Sequence, residues 1–214
     1  MSSPTEAAGL SGRRRQAALN DEAILNSARE VFLADPKSPI SDVAKHAGVG
    51  ISALYRRYPG KEALLRQLCH DGLRRYLAEA EAALADPDGW TAFTGFLTRV
   101  VDADVHSLTV HLAGTFTPTP EMGADAERAG RLAEDLVERA RATGKLRGDI
   151  VLQDIALVLE SCAAIRVPDR RRTTELRRRV LAMLIDSISR TGAPDLPGPP
   201  PEAGEFNWRW QRRP

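Results

Sequence analysis

The sequence predicts an all-α protein of about nine helices, and three observations carry that expectation. Apolar residues recur at helical spacing, i, i+3, i+4 and i+7, through most of the chain. Helix starts and stops punctuate it at short intervals, as at Ser38-Pro39, Asp86-Pro87-Asp88-Gly89 and Pro168-Asp169. No run alternates apolar and polar residues as a half-buried strand does, and no segment repeats. The 214 residues, 43% of them hydrophobic, suit either one mid-sized domain or a small module joined to a larger partner.

Residues 1–15 are small and polar, close on Arg13-Arg14-Arg15, and are expected to form a disordered basic arm. From Asn20 the pattern turns helical. Ile24, Ala28, Val31 and Phe32 share one face, Asn20 is the expected N-cap, and Asp21 and Glu22 suit the positive end of the helix dipole. Asp35-Pro36 stops this helix. Ser38-Pro39 reads as a cap followed by proline at the first helical position. Ile40, Val43, Ala44 and Ala47 then form the stripe of a short helix, which Gly48 ends in the left-handed conformation. Gly50 caps the next helix, Ile51 to about Tyr58, and Pro59-Gly60 breaks it. A longer helix is expected from Lys61 to about Ala85, with Leu64, Leu68, Leu73 and Leu77 on its apolar face.

Past the turn at Asp86–Gly89, Trp90, Phe93, Phe96, Leu97 and Val100 have helical spacing, and Gly114–Pro120 reads as an irregular connection. A helix from about Ala124 to Ala142 uses Leu132, Leu136 and Val137. The run Ile150–Ile165 is apolar almost all round, which calls for a helix buried on most sides. Asp169 caps a last helix lined by Leu176, Val180, Met183, Leu184 and Ile188. From Ala193 proline and glycine dominate, predicting a flexible tail over 193–214 that ends in the unusual cluster Phe206, Trp208 and Trp210.

Net charge is only +1, but it is segregated. Arg13–Arg75 holds 12 basic against 7 acidic residues, Tyr76–Ile165 holds 7 against 15, and the remainder holds 11 against 6. A basic first third on an acidic middle fits a chain that offers one end to a polyanion. Cys69 and Cys162 stand far apart without CxxC spacing, so neither a disulfide framework nor a zinc cluster is expected. Met1–Gly12 lacks the apolar run of a signal peptide, and no stretch approaches the ~18 apolar residues of a membrane span, so a soluble cytoplasmic protein is expected. There is no G-x-S-x-G, H-E-x-x-H or phosphate-binding loop, and four dispersed histidines offer little for acid–base chemistry, which argues against an enzyme. His106 and His111 are five residues apart and do not aim alike, and Asp102 one turn before His106 adds too little for a metal site, so neither metal nor cofactor is expected.

The informative segment is Ser38–Leu65. It reads as two short helices joined by a tight glycine-containing turn, the layout of a DNA-binding helix-turn-helix. Val49 and Leu54 point inward, which leaves Ser52, Tyr55, Arg56 and Arg57 outside. Arginine pairs bidentately with guanine edges, and tyrosine or serine bonds phosphate oxygens. Lys61 begins the following helix, where its ammonium and the helix N-terminus can act on one phosphate. The expected DNA-contacting set is Ser38, Gly50, Ile51, Ser52, Ala53, Tyr55, Arg56, Arg57 and Lys61.

Over residues 20–66 the chain resembles the DNA-binding domain of the TetR family. Val43-Ala44 with Ala47-Gly48-Val49 is similar to the family's second helix and turn, and Leu54-Tyr55 with Tyr58, Lys61, Glu62 and Leu64 to its recognition helix and the start of the fourth. The chain departs from the pattern at Gly50, where serine is usual, and at Arg57-Tyr58, where His-Phe is frequent. The resemblance implies a helix-turn-helix domain over 16–60 and an effector-binding and dimerisation domain over 61–192. It implies a repressor that binds a palindromic operator on double-stranded DNA as a homodimer and is released by a small lipophilic effector. A constitutive helical regulator without effector, or an activator, is the alternative. One helix-turn-helix makes too few contacts for selective binding, so dimerisation is expected through the helices near 150–165 and 173–190, using Leu157, Ala164, Leu181, Leu184 and Ile188. The implied pocket between the middle helices is expected to be lined by Phe93, Phe96, Leu97, Val100, His111, Phe116, Leu136 and Cys162.

Overall fold

The computed structural model describes residues 4–189 and 191–206, with side chains from residue 19 onward. Among the described residues there are nine helices and no strand: α1 (Pro4–Ala34), α2 (Ile40–Ala47), α3 (Ile51–Arg57), α4 (Lys61–Leu84), α5 (Gly89–Asp102), α6 (Val105–Leu112), α7 (Pro120–Ala142), α8 (Leu152–Ala164) and α9 (Arg170–Ile188). The all-α class read from periodicity is the class found. The chain divides into two compact units, Met1–Leu68 and Cys69–Pro214.

In the first unit α1 buries Ile24, Ala28 and Phe32, α2 buries Ile40, Val43 and Ala44, and α3 buries Leu54. The unit ends at Leu68 and not at residue 60, because the first turns of α4 bury Leu64, Leu65 and Leu68. Helix α1 starts at Pro4, so the segment expected as a disordered arm is helical from that residue, and Asn20 lies within the helix instead of capping it. Between Gly12 and Asn20 stand Arg, Gln, Ala and Leu, all strong helix formers, and no breaker interrupts them. Ser38 does not cap α2. Pro39 occupies the cap position without a side-chain hydrogen bond, and the Ser38 hydroxyl donates to the Asp35 carboxylate at 3.5 Å. Gly48 closes α2 with φ +67°, the left-handed value that glycine adopts without a Cβ penalty.

The second unit is organised around α5, which packs against α6, α7, α8 and α9. Phe93, Phe96, Leu97 and Val100 of α5 are buried with Leu136, Val137 and Ala140 of α7, Ile155 and Cys162 of α8, and Leu181 and Ile188 of α9. Each of the larger of these, the Phe, Leu, Ile and Val side chains, contributes about 1.5–3 kcal/mol of burial. Asp88 caps α5 by accepting from the Thr91 N–H at 2.7 Å. A Cβ on Gly89 would lie 2.3 Å from the Arg139 carbonyl oxygen, so α5 meets α7 there as backbone on backbone.

Two boundaries differ from expectation. Thr119 accepts from the Met122 N–H at 3.2 Å with Pro120 just inside the helix, so α7 begins at Pro120 and not near Ala124. Asp104, at φ +54°, separates α6 from α5. Its carboxylate accepts from the Ser107 hydroxyl and from the buried Arg177 guanidinium, which also donates to the Ile165 carbonyl at 3.0 Å. Asp169 caps α9 as expected, accepting from the Arg171 N–H at 2.8 Å. Residues 191–206 after α9 form no α-helix. They are pinned where Arg147 donates to the Pro194 carbonyl at 2.7 Å and the Leu196 N–H donates to Asp149 at 2.8 Å. Trp208 and Trp210 lie outside the described residues.

Candidate nucleic-acid interface and ligand cavity

Helix α3 stands on one fully buried anchor, Leu54. Gly50 begins it in an extended conformation at the N-cap, which aims the remaining residues outward. Ile51, Ser52, Arg56 and Arg57 are exposed, Tyr55 is 49% exposed, and Ala53 and Ser38 are half-buried. The two departures from the TetR pattern at the end of α3 resolve differently. Tyr58 is buried, whereas Arg57 remains outside and is paired with Asp21 of α1 at 2.8 Å. Arg56 meets no acidic partner among the described residues. It is the guanidinium left most available to a base edge or a phosphate.

Lys61 behaves differently from expectation. Its Nζ donates to the carbonyls of Pro36 at 2.6 Å and Ser38 at 2.7 Å, and lies 5.1 Å from the centroid of the Phe32 ring. Burial lowers its pKa, against the opposing charge of Asp35. An ammonium bonded to two carbonyls acts as a brace between α4 and the entry to α2, with one of its three N–H groups left over.

In the second unit a cavity of about 540 Å³ opens between α4, α6, α7 and α8, a size typical of small-molecule sites. Leu73, Tyr76, Val105, Val110, Met122 and Leu159 supply apolar wall, and Phe206 reaches it from the C-terminal segment. Space is left by small residues on α7, namely Gly123, Ala126, Ala129 and Gly130. Polar groups are few: the Tyr76 hydroxyl, His106, Thr109 and Glu160. None of Phe93, Phe96, Leu97, Val100, His111, Phe116, Leu136 and Cys162, the residues expected at a ligand pocket, lines this cavity. Six of them form the core around α5, Phe116 is fully buried, and His111 is exposed with Nε2 3.4 Å from the Ala163 carbonyl. Large apolar side chains at helical spacing fill space, and the cavity forms where side chains are small.

His106 was not in that set, and it is one of the residues lining the cavity. It is 5% exposed, and its Nδ1 lies 3.4 Å from the Val100 carbonyl oxygen. A carbonyl only accepts, so Nδ1 carries the hydrogen and Nε2 holds a bare lone pair. That Nε2 is buried and has no hydrogen-bond partner among the described residues. Burial pushes the imidazole pKa down to about 4, helped by Arg177 and His111 and opposed by Asp104 and the Val100 bond.

A second polar group joins α4 to α7. His70 Nε2 lies 2.8 Å from the Asp125 carboxylate, and Arg74 donates to Glu121 at 2.9 Å. Ligand atoms of His70, Glu121 and Asp125 lie within 4.8 Å of one another, close enough to share a cation, yet these two pairings already engage both carboxylates.

The residues expected at a dimer interface separate into two sets. Leu157, 43% exposed, and Ala164 face outward on α8. Leu184 is half-buried, whereas Leu181 and Ile188 are buried in the core of their own chain. The outward apolar residues of α9 are Ala182 and Met183, the latter 55% exposed. No helix among the described residues is long and apolar enough to cross a membrane.

A helix-turn-helix with a solvent-facing Tyr-Arg-Arg helix, in one chain with an all-helical unit holding a ligand-sized cavity, defines a DNA-binding transcription regulator. Residues 24–68 match the family model for bacterial regulatory proteins of the tetR family. The chain is 30% identical over 147 residues to the HTH-type transcriptional repressor LfrR of Mycolicibacterium smegmatis, covering 65% of this chain and 71% of that one. The chain belongs to the TetR family. Its fold is shared with the TetR regulator SCO0520 of Streptomyces coelicolor, at TM-score 0.55 and 24% identity over 79% of this chain and 98% of that one. It is shared as well with the TetR-like regulator LfrR of Mycobacterium smegmatis in complex with proflavine, at TM-score 0.56 and 22% identity over 84% and 99%.

Proposed function

We propose that the chain is a repressor that binds a palindromic operator as a homodimer and leaves it when a small lipophilic molecule enters the cavity of the second unit. The observation that carries this reading is α3: one buried leucine below, and Ser52, Tyr55, Arg56 and Arg57 in solvent above. In the major groove Arg56 would read a base edge, while Tyr55 and Ser52 would hold phosphates. Gly50 and Ile51 start the helix beside the backbone, Ala53 offers close approach, and Lys61 and Ser38 fix its pose. Half-sites about one helical turn apart, ~34–36 Å or a multiple, would mirror the two-fold axis of the protein. The outward residues Leu157 and Ala164 of α8 and Ala182 and Met183 of α9 support pairing through those two helices, which pack on each other.

The 540 Å³ cavity supports an effector over a constitutive regulator. The relative LfrR has been solved with proflavine, which supports a small-molecule occupant of this class. An effector favouring a dimer whose two α3 helices are wrongly spaced would lower operator affinity by its preference for that state.

The test is selection of bound duplexes from random oligonucleotides, followed by titration with Tyr55→Ala and Arg56→Ala. An inverted-repeat consensus is expected. Tyr55→Ala should reduce the slope of log affinity against log salt by roughly one, and Arg56→Ala should relax base preference at one position per half-site. No enriched sequence, with both variants binding as the parent does, removes the reading.

A further inference from the structure

We propose that residues 194–206 are a strap that closes over the cavity of the second unit and holds a bound lipophilic molecule there with the ring of Phe206. The inference rests on the effector reading of that cavity and adds the part of the chain that covers the ligand.

The helices leave the cavity open on the side of α6 and α7. Thr109 near the end of α6, Pro118 in the connection that follows, and Gly123, Ala126 and Gly130 of α7 all line it and are all exposed. The three α7 residues recur at i, i+3 and i+7, so one face of that helix meets the cavity with almost no side chain. A lipophilic molecule seated against that face keeps apolar surface in water, which weakens its binding unless something covers it. Phe206 is the one lining residue, among those described, that comes from beyond α8. It is half-buried, whereas Glu202, Ala203, Gly204 and Glu205 just before it are exposed. The aromatic residue is where this stretch meets the cavity.

The segment is built to deliver that residue from a distance. It is tied at its root, where Arg147 donates to the Pro194 carbonyl and the Leu196 N–H donates to Asp149, and Arg147 and Asp149 are themselves paired at 2.8 Å. Pro197-Gly198-Pro199-Pro200-Pro201 follows, and its four prolines have no N–H to give to a helix or a sheet. Such a stretch is a semi-rigid spacer. A turn ends it: the Glu205 N–H donates to the Glu202 carbonyl at 3.1 Å, the Glu202 N–H donates to the Glu205 carboxylate at 2.9 Å, and Gly204 takes φ +82°. Phe206 comes next. A tied root, a stiff arm and an apolar tip suit a cover that lifts to admit a molecule and then lies on it. The tether keeps the ring close to the cavity, so its contact with a ligand costs little further ordering.

The test uses the full chain and N-phenylnaphthylamine, an uncharged dye that brightens in apolar surroundings. Equilibrium titration gives its affinity, and stopped-flow mixing gives its two rates. Phe206→Ala is expected to bind the dye about tenfold more weakly, through faster dissociation, with association no slower than in the parent. Phe206→Leu, which restores an apolar cover, should recover part of the loss. Helical spectrum and thermal midpoint without dye should match the parent in both variants, which separates a lost cover from a damaged fold. Ala156→Phe, which adds a ring from the half-buried α8 wall, should block the dye and so mark the cavity as its site. Unchanged affinity and dissociation in Phe206→Ala, with Ala156→Phe still blocking, overturns the strap and leaves the effector cavity standing. Tighter binding in Phe206→Ala overturns it too, because Phe206 would then compete with the ligand instead of covering it. If the parent does not bind the dye saturably, or Ala156→Phe binds it as the parent does, the small-molecule reading of the cavity falls and the strap falls with it.

Discussion

The Lys61 ammonium donates to the backbone carbonyl of Ser38, 2.7 Å away and 23 residues earlier in the chain. With the second bond to Pro36 it joins the first residue of α4 to the strand of chain that enters α2. The pose of α3 between those helices depends on that join.

Replacing Lys61 by Met keeps the aliphatic stem over Phe32 but removes both bonds. Two bonds from a charged donor are worth roughly 1.5–3 kcal/mol each at most, so a loss of about 2 kcal/mol in stability is expected. Operator affinity should fall because α3 is less well held, with the salt slope unchanged. Urea unfolding and operator titration at several salt concentrations measure the two effects. Unchanged stability with a slope smaller by about one would return Lys61 to the role of phosphate ligand.

What was legible in the sequence follows from what each residue does locally. Gly48, Gly50 and Leu54 announce the turn and recognition helix because positive φ, capping and anchoring are backbone-scale demands. Asp169 announces α9 for the same reason. The start of α1 was missed because a basic, polar segment reads as an arm, whereas its propensities are helical. The cavity was missed for a deeper reason. Periodicity finds large apolar residues, and Phe93, Phe96 and Leu136 are large because they fill the core. A cavity is made by the small residues Gly123, Ala126 and Gly130, which leave no mark on a hydrophobic pattern. The place of His106 in the lining depends on the break at Asp104, whose positive φ no periodicity reveals.

His106 also predicts a pH dependence. Its imidazole titrates near 4 in the fold and near 6.5 when exposed in the unfolded chain. Between those values the unfolded chain binds more protons, so stability falls as pH drops through that window and stops falling on this account below about 4. The full effect is on the order of 3 kcal/mol. Denaturant unfolding across the window should show it in the parent protein. The slope from this group should vanish in His106→Phe. An identical slope in both proteins would show that other groups titrate there.

The buried Arg177 guanidinium pairs with Asp104, and Arg177 further donates to the Ile165 carbonyl at 3.0 Å and the Ala163 carbonyl at 3.4 Å. Arg177→Met leaves a carboxylate at a strained backbone position and two carbonyls without their donor. Breaking one side of a buried pair costs roughly 3–5 kcal/mol. The thermal midpoint should drop well below that of Arg171→Met, whose guanidinium is exposed and pairs only within α9. Equal midpoints for the two variants would show that the Asp104 contact contributes nothing to stability.

Register on α9 separates two kinds of apolar residue and makes the dimer testable. Leu181 is 2% exposed and belongs to the core, while Met183, two positions on, is 55% exposed beside Ala182. A charge at Met183 has no buried environment to disrupt in a single chain. It would face its own copy across a two-fold interface, where like charges repel and apolar area is lost. Met183→Glu, combined with Leu157→Glu on α8, should therefore give a folded monomer with an unchanged helical spectrum and operator affinity reduced at least about a hundredfold, since a single half-site remains. Leu181→Ala should do the opposite: it opens a cavity costing about 2–5 kcal/mol, yet leaves whatever chain remains folded dimeric. Sedimentation equilibrium on the two variants decides between them. A dimeric Met183→Glu/Leu157→Glu protein with full operator affinity would show that the chains pair through some surface other than the outward faces of α8 and α9.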